Sequence, residues 1–238
     1  RGVGSFAEVQ SGVASDFVRS RLESGLPASV SVLHNRRAAL RLLFRAARRL
    51  RLAESDPTLD LRLPPKSSAA ARPLDGDEIE LCRDVAQWAS GRVAIAWALA
   101  EATARGAEIA AVTSDDIDLE VGTVQINGGQ RTMARIGVLT GWGKEMLRRS
   151  VPIAGSGPVA YAGEGRGITG QVSTCRAISS VLLRAGLAGE PDVRPMSVAA
   201  WAGRRVLDDT GSIEAAALAM GVRSLDRAAR LVGHAWSG

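Results

Sequence analysis

Seven arginines crowd the stretch from His34 to Leu52, and no acid interrupts them before Glu54. Each arginine carries a flat fork of donors that matches phosphate oxygens and stays protonated at every relevant pH. On a helical wheel Leu33, Leu40, Leu43, Phe44, Ala47 and Leu50 share one face, while Arg37, Arg41, Arg45 and Arg48 line the other at spacings of four, four and three. A basic amphipathic helix of this kind can grip nucleic-acid phosphates, face solvent, or lie on a membrane surface. With no acid four residues away, the guanidinium groups repel one another, so the stripe stabilises nothing by itself. Phosphate binding is the reading adopted.

The whole chain leans the same way. Its 238 residues carry 30 basic and 25 acidic side chains, a net charge of +5, and every basic residue except Lys66 and Lys144 is arginine. GC-rich coding would also favour arginine, so clustering has to discriminate. Hydrophobic residues at 46% and charged ones at 23% are ordinary for a globular protein. No apolar run approaches the ~18 residues of a membrane span, which excludes an integral membrane protein. Cys82 and Cys175 lie far apart in apolar helical surroundings, which suits two buried thiols in a reducing cytoplasm better than a disulfide or a metal site. No zinc pattern and no cofactor motif is present. The chain opens at Arg1 with neither Met nor a signal-like segment, and so reads as part of a longer or processed protein.

Two modest domains fit this length. Residues 5–66 read as a helical bundle. Its first helix is expected from Ser5 to about Leu22, with Phe6, Val9, Val13, Phe17 and Leu22 inward, and Ser29 would cap the next. The prolines and Ser/Ala tract near residues 64–73 predict a linker, placing the domains at 1–66 and 74–238 with residues 67–73 between them. Asp75 and Glu78 form a capping-box pattern. Helices are expected from Asp77 to Ala89 and from Arg92 to Ala104, with Trp88 and Trp97 in the core. Ile117–Leu119, Thr123–Asn127 and Ala134–Leu139 alternate like short strands. Helices at Gly143–Ser150 and Thr169–Ala185 follow, then three short ones punctuated by Pro195, Gly211 and Gly221.

The run from Ala102 to Asp118 (Ala-Thr-Ala-Arg-Gly-Ala-Glu-Ile, then Asp-Asp-Ile-Asp) is similar to the Thr-Gly-x-Arg-x-x-Glu-Leu…Asp-Ile pattern of the tyrosine recombinases, or phage integrases. The Pro73-Leu…Glu78-Ile start and the C-terminal helix lengths resemble the same family. The resemblance implies a mainly α protein with a small antiparallel β-sheet: an N-terminal helical core-binding (SAM-like) domain followed by a recombinase-like catalytic-domain fold. It puts Arg105 on the first catalytic arginine, with a simple Arg105–Glu108 surface pair as the bland alternative. Gln130 or Arg131 falls near the hairpin lysine, and Arg135 on an arginine before the third strand. Tyr161, the only tyrosine, takes a structural aromatic position.

The reactive positions are emptied. The family's first histidine falls on Met196, its second clamp arginine on Ala199, its second histidine on Val222 and its nucleophilic tyrosine on Leu231. Transesterification needs a nucleophile, a cationic clamp and an acid for the leaving oxygen, and these act as a unit. A different register, with Gly233-His234 as the second histidine motif and Trp201 and Arg204 as the upstream pair, would put a tyrosine past Gly238. The expectation is therefore a sequence-specific double-stranded-DNA binder without its own chemistry, a regulator or an architectural or site-occupancy factor, touching DNA through Arg37, Arg41, Arg45, Arg48, Arg105, Arg131, Arg135, Arg204 and Arg205, with His34, Asn35 and Gln130 as candidates for base contacts. No metal, cofactor or membrane is expected. The partners would be DNA and either a second copy or an active recombinase, in a bacterial cytoplasm at the nucleoid. Alternatives are an active integrase whose nucleophile lies beyond residue 238 or on another chain, and a protein–protein scaffold.

Overall fold

A computed structural model describes residues 5–22, 25–28, 30–64, 71–150, 157–163 and 168–236. The chain divides into two compact units, Arg1–Ser68 and Ala69–Gly238. The expected cap at Ser29, Lys66 and linker residues 67–70 lie outside the described residues.

The first unit is built on two helices, α1 (Ser11–Arg19) and α2 (Val30–Arg49). The single helix expected from Ser5 is instead a 3-10 turn at Phe6–Glu8 followed by α1, because the backbone is extended at Gln10. The buried face of α1 is Ala14 and Val18, one residue on from the expected Val13 and Phe17, both of which are exposed. The Phe17 ring instead lies under the Arg36 guanidinium at 5.9 Å. On α2 Leu33, Phe44 and Ala47 are buried as expected, and Phe6 meets Phe44 edge-on. Leu43 and Leu50, expected inward, are exposed. The apolar stripe read from sequence is wider than the surface available to cover it. After α2 the chain turns at Asp56, whose carboxylate accepts from the Thr58 backbone N–H and hydroxyl.

The second unit centres on α4 (Gly91–Glu101), buried on every side from Ala94 to Glu101. Alternating alanines let neighbours approach: a Cβ at Gly143, on α6 (Gly141–Ser150), would stand 3.4 Å from the Ala98 methyl. Around α4 pack α3 (Gly76–Gln87), α6, α7 (Ile168–Arg184) and α8 (Met196–Thr210). The Asp75–Glu78 capping box forms as read, and Arg72, in the expected linker, is fixed to this unit by a bidentate pair with Glu78. Trp97 is fully buried, whereas Trp88 follows α3 at its C-cap and stands in solvent, so only one of the two tryptophans belongs to the core.

Glu101, at the end of α4, carries a buried charge. Arg83 donates to both its oxygens at 2.9 and 2.8 Å, the Trp97 indole N–H at 2.9 Å and the Thr140 hydroxyl at 2.7 Å. Removing one partner of this buried ion pair would leave an uncompensated charge. Arg83 itself lies between the Trp142 and Trp201 rings. Cys82 beneath it is buried, and its thiol is pushed up to about 12 by burial and then by Glu78 and Glu101.

Strands β1 (Ile117–Asp118), β2 (Thr123–Ile126) and β3 (Arg135–Val138) form an antiparallel sheet in sequence order, with Thr123 opposite Val138 and Ile126 opposite Arg135. The fold is thus mainly helical with one small sheet, as expected. The sheet presses on the end of α4 where Gly137 faces the Ala102 carbonyl. The chain ends in α8, α9 (Ile213–Ala219) and α10 (Leu225–Val232), whose turns carry Gly211, Gly221 and Gly233 in the left-handed region.

A Cβ at Gly137 would run into the Ala102 carbonyl oxygen, which is backbone and cannot step aside. Gly137→Ala is expected to lower unfolding free energy by about 2 kcal/mol or more, with an unchanged m-value in urea denaturation. Unaltered stability would mean that the sheet is not held against α4.

Candidate nucleic-acid interface

Four helices and a hairpin converge on a cleft of about 690 Å³ in the second unit. Its walls come from α5 (Gly106–Ile109) with the residues just before it, the hairpin tip Gly128–Thr132, and Gln171 and Cys175 of α7. Met196 and Ala199 of α8 and Arg227 of α10 complete it. Gly106 sits so close to α7 that a Cβ would meet the Cys175 sulfur at 2.6 Å.

The electrostatics of this cleft are set by Glu108. It is 6% exposed, and burial alone would push its carboxyl up; hydrogen bonds from Arg135 and Thr132, the Arg135 charge and the Arg105 backbone N–H hold it below its ordinary value of 4.5. Arg135 donates to its two oxygens at 3.0 and 2.8 Å. The same guanidinium donates to the Thr103 carbonyl at 2.7 Å, the Thr103 hydroxyl at 3.2 Å and the Met133 carbonyl at 3.1 Å. Arg135 is therefore buried and saturated, and it does not reach the cleft. The expectation that it contacts DNA is replaced by a structural role.

Thr103 owes its conformation to these contacts. It is a β-branched residue at φ 73°, a region costly for such side chains, and its hydroxyl donates to the Ala219 carbonyl at 2.6 Å. The turn after α4 is thereby tied to the end of α9.

With Glu108 committed to Arg135, Arg105 is left without an acid. It forms no simple surface pair with Glu108. Its Nη2 makes one long contact to the Met220 carbonyl at 3.4 Å, and its Nε is buried with no hydrogen-bond partner. Burial pushes its pKa down, Glu108 opposes this, and the like charges of Arg227 and Arg135 add to the depression. A buried donor without an acceptor costs about 1–3 kcal/mol, so an anion entering the cleft would find an unmet partner. Arg131, at the exposed hairpin tip beside Gln130, and Arg227 face the same space. Among the described residues no ion pair involves Arg105, Arg131 or Arg227.

The positions onto which the resemblance puts reactive side chains lie in the walls and core. Met196 and Ala199 line the cleft with thioether and methyl groups. Val222 is buried in a small cluster with Leu207, Ile213 and Met220, and Leu231 packs against the same cluster. Neither lines the cleft. Cys175, expected to be buried, is only partly buried on the cleft wall, and burial raises its thiol pKa. Tyr161 packs over Gly170 of α7. His234 follows Gly233 at the end of α10, its ring edge-on to Trp236 at 5.4 Å.

Arg204 and Arg205, expected on the DNA face, are not in this cleft: Arg204 pairs with Asp208 at 2.8 Å and Arg205 lies over the Trp201 ring at 5.0 Å. In the first unit the arginine stripe splits. Arg37 donates to the Leu61 carbonyl at 3.0 Å, and Arg41 to the Thr58 carbonyl at 3.2 Å and the Thr58 hydroxyl at 3.3 Å. They brace the segment after α2, which bends back within reach of two guanidinium groups. Arg45 and Arg48 are exposed. His34 donates from Nε2 to the Pro64 carbonyl at 2.9 Å and accepts at Nδ1 from Arg37 at 3.3 Å, and Asn35 is exposed. Arg227 was not among the expected residues. Its one sequence signal is Arg223 four residues earlier, the spacing of the α2 stripe in a run too short to stand out.

No helix among the described residues is long and apolar enough to cross a membrane, and no group of three or more potential metal ligands occurs among them. The chain matches no protein-family model and no curated protein. Solved structures do match. A lambda integrase (residues 75–356) dimer bound to a COC′ core site aligns over 100% of this chain and 86% of its own, at 16% identity and TM-score 0.64. XerA recombinase aligns over 94% and 79%, at 17% identity and TM-score 0.58. The Tn1549 transposon integrase in complex with circular intermediate DNA aligns over 97% and 83%, at 15% identity and TM-score 0.52. At such identities the likeness is one of fold.

Glu108→Gln is expected to lower stability at neutral pH by about 3 kcal/mol or more, because Arg135 would lose its buried counter-charge. A depressed folded pKa contributes stability that is present above pH 4.5 and is lost as pH falls through the folded value. The wild type should therefore lose stability below about pH 4.5 more steeply than Glu108→Gln in urea melts. Parallel pH profiles would show that the pair does not carry this role.

Proposed function

From the premise that the chain has the fold of the tyrosine recombinases, we propose that it binds double-stranded DNA and does not cut it. Binding DNA without cleavage suits a regulator or a site-occupancy factor acting at the nucleoid, alone, with a second copy, or beside an active recombinase. The observation that carries this reading is the Arg105 cleft: a half-buried guanidinium with an orphaned Nε, two further arginines, and no acid left to pair with them. That is a site for a phosphate group.

Non-cleavage rests on what surrounds that site. Its titratable lining among the described residues is Arg105, Arg131, Arg227, Glu108 and Cys175. Glu108 is held ionised by Arg135, the arginines do not give up protons near neutrality, and the cysteine is raised by burial. None of these described groups is poised as a general acid near neutral pH, which supports the non-cleaving reading. The register that would use Trp201 and Arg204 finds no support in the cleft, since the α8 side chains lining it are Met196 and Ala199.

The neighbours captured on DNA, the lambda integrase dimer at its core site and the Tn1549 integrase on circular intermediate DNA, support DNA as the ligand. Exposed Arg45 and Arg48 would add contacts from the first unit. Such contacts set affinity without reading sequence.

Binding should be strongly salt-dependent. Measured by fluorescence anisotropy on host genomic fragments, affinity is expected to fall roughly tenfold or more between about 50 and 200 mM salt, the minimum for two neutralised phosphates. Arg105→Ala should weaken binding about tenfold across all sequences. Weak, salt-insensitive retention would favour the scaffold reading instead.

A further inference from the structure

We propose that Arg227 is the second cation of the Arg105 cleft, so that one phosphate is held between a guanidinium from the turn before α5 and another from α10. The inference deepens the DNA-binding reading and rests on it for the identity of the natural ligand.

A lone arginine grips phosphate weakly, and the side chain of Ala199 brings only a methyl to this cleft. Arg227 reaches the same space from α10, which Ser224 caps at its N-terminus by accepting from the Arg227 backbone N–H at 3.3 Å. That cap leaves the Arg227 guanidinium uncommitted, and no ion pair engages it among the described residues. Two unpaired guanidinium groups then share one cleft; Arg227 is exposed, so water screens part of their repulsion, and an anion between them would turn the rest into attraction. The charge of Arg227 is felt at Arg105, where it adds to the effect of burial. The α9–α10 turn is held in register by the Arg135 hub, since Gly221 has room for Arg135 only because it lacks a Cβ, and its carbonyl accepts from the Met133 N–H. The position of α10 relative to Arg105 is thus built in. The bland alternative is that Arg227 is a solvated surface residue.

The two readings differ in two assays. Thermal melts of the full chain in inorganic phosphate are compared with chloride at equal ionic strength, and anisotropy is measured with a short duplex of mixed sequence. Phosphate is expected to raise the wild-type Tm. Arg227→Ala should melt at or above the wild type in chloride, because repulsion is relieved, yet lose the protection by phosphate. Its duplex affinity should fall about tenfold and its salt slope by about 1. Arg227→Lys should recover part of the affinity, since it restores the charge without the fork. Combined with Arg105→Ala, the loss should be smaller than the product of the single losses, as befits two groups on one phosphate.

An Arg227→Ala protein that keeps both phosphate protection and duplex affinity would overturn the clamp while leaving DNA binding standing. Fully multiplicative losses would overturn it too, because Arg227 would then contact a different phosphate. Arg227-dependent protection by phosphate without any binding to the duplex would sink the DNA reading and leave the clamp intact. A wild type indifferent to both phosphate and duplex would sink both.

Discussion

The second unit depends on one ion pair, Arg135 with Glu108. Its guanidinium reaches the carboxylate on α5, the backbone and hydroxyl of Thr103 after α4, and the hairpin carbonyl of Met133, while Thr132 donates to the same carboxylate. Two stretches far apart in sequence, residues 103–108 and 132–135, are fixed to one another through a handful of atoms. A buried pair of this kind is not strongly stabilising against an apolar replacement, but it is costly to break, and its directional hydrogen bonds define a geometry that oily contacts would leave loose. The unusual backbone of Thr103 and the missing side chain at Gly221 are the local adjustments made to accommodate it.

The cleft follows from that pair by charge conservation. One carboxylate cannot neutralise both Arg135 and Arg105, and geometry assigns it to Arg135. Arg105 is left half-buried, depressed by desolvation and by its cationic neighbours, and oriented toward the space where Arg131 and Arg227 also end. The site presents cations to an anion, and the one thiol among its described lining residues, Cys175, is raised by burial. Where the recombinase pattern places reactive side chains, this chain has a thioether, a methyl and two aliphatic groups. Val222 and Leu231 have been drawn into the packing of α8, α9 and α10. Gly211, Gly221 and Gly233 shape the helix ends around it.

Much of this was legible in the sequence. The capping box at Asp75, the three alternating strands and the glycines at 211 and 221 each follow from local rules, and the structure has them where expected. Local rules fail where long-range contacts decide. The α1 face is shifted by one residue because a nine-residue helix has little periodicity to read. Trp88 and Trp97 look alike in sequence, but one caps a helix end in solvent and the other lies at the centre of the core. Arg37, Arg41 and Arg135 were indistinguishable from the exposed arginines because a guanidinium serves a carbonyl or carboxylate as well as a phosphate. Arg227 escaped notice for the opposite reason: only folding brings α10 to the cleft.

The central claim is that the cleft holds a phosphate and leaves it intact. Its most direct test is covalent trapping. The protein is incubated with a duplex nicked so that any strand exchange cannot reverse, the complexes are denatured in detergent, and protein and DNA are separated by electrophoresis. The account predicts that DNA retained before denaturation is released entirely uncut and free of protein. A detergent-resistant protein–DNA band would contradict it, since such a band requires a nucleophile and would mean that the Leu231 position does not mark the loss of one.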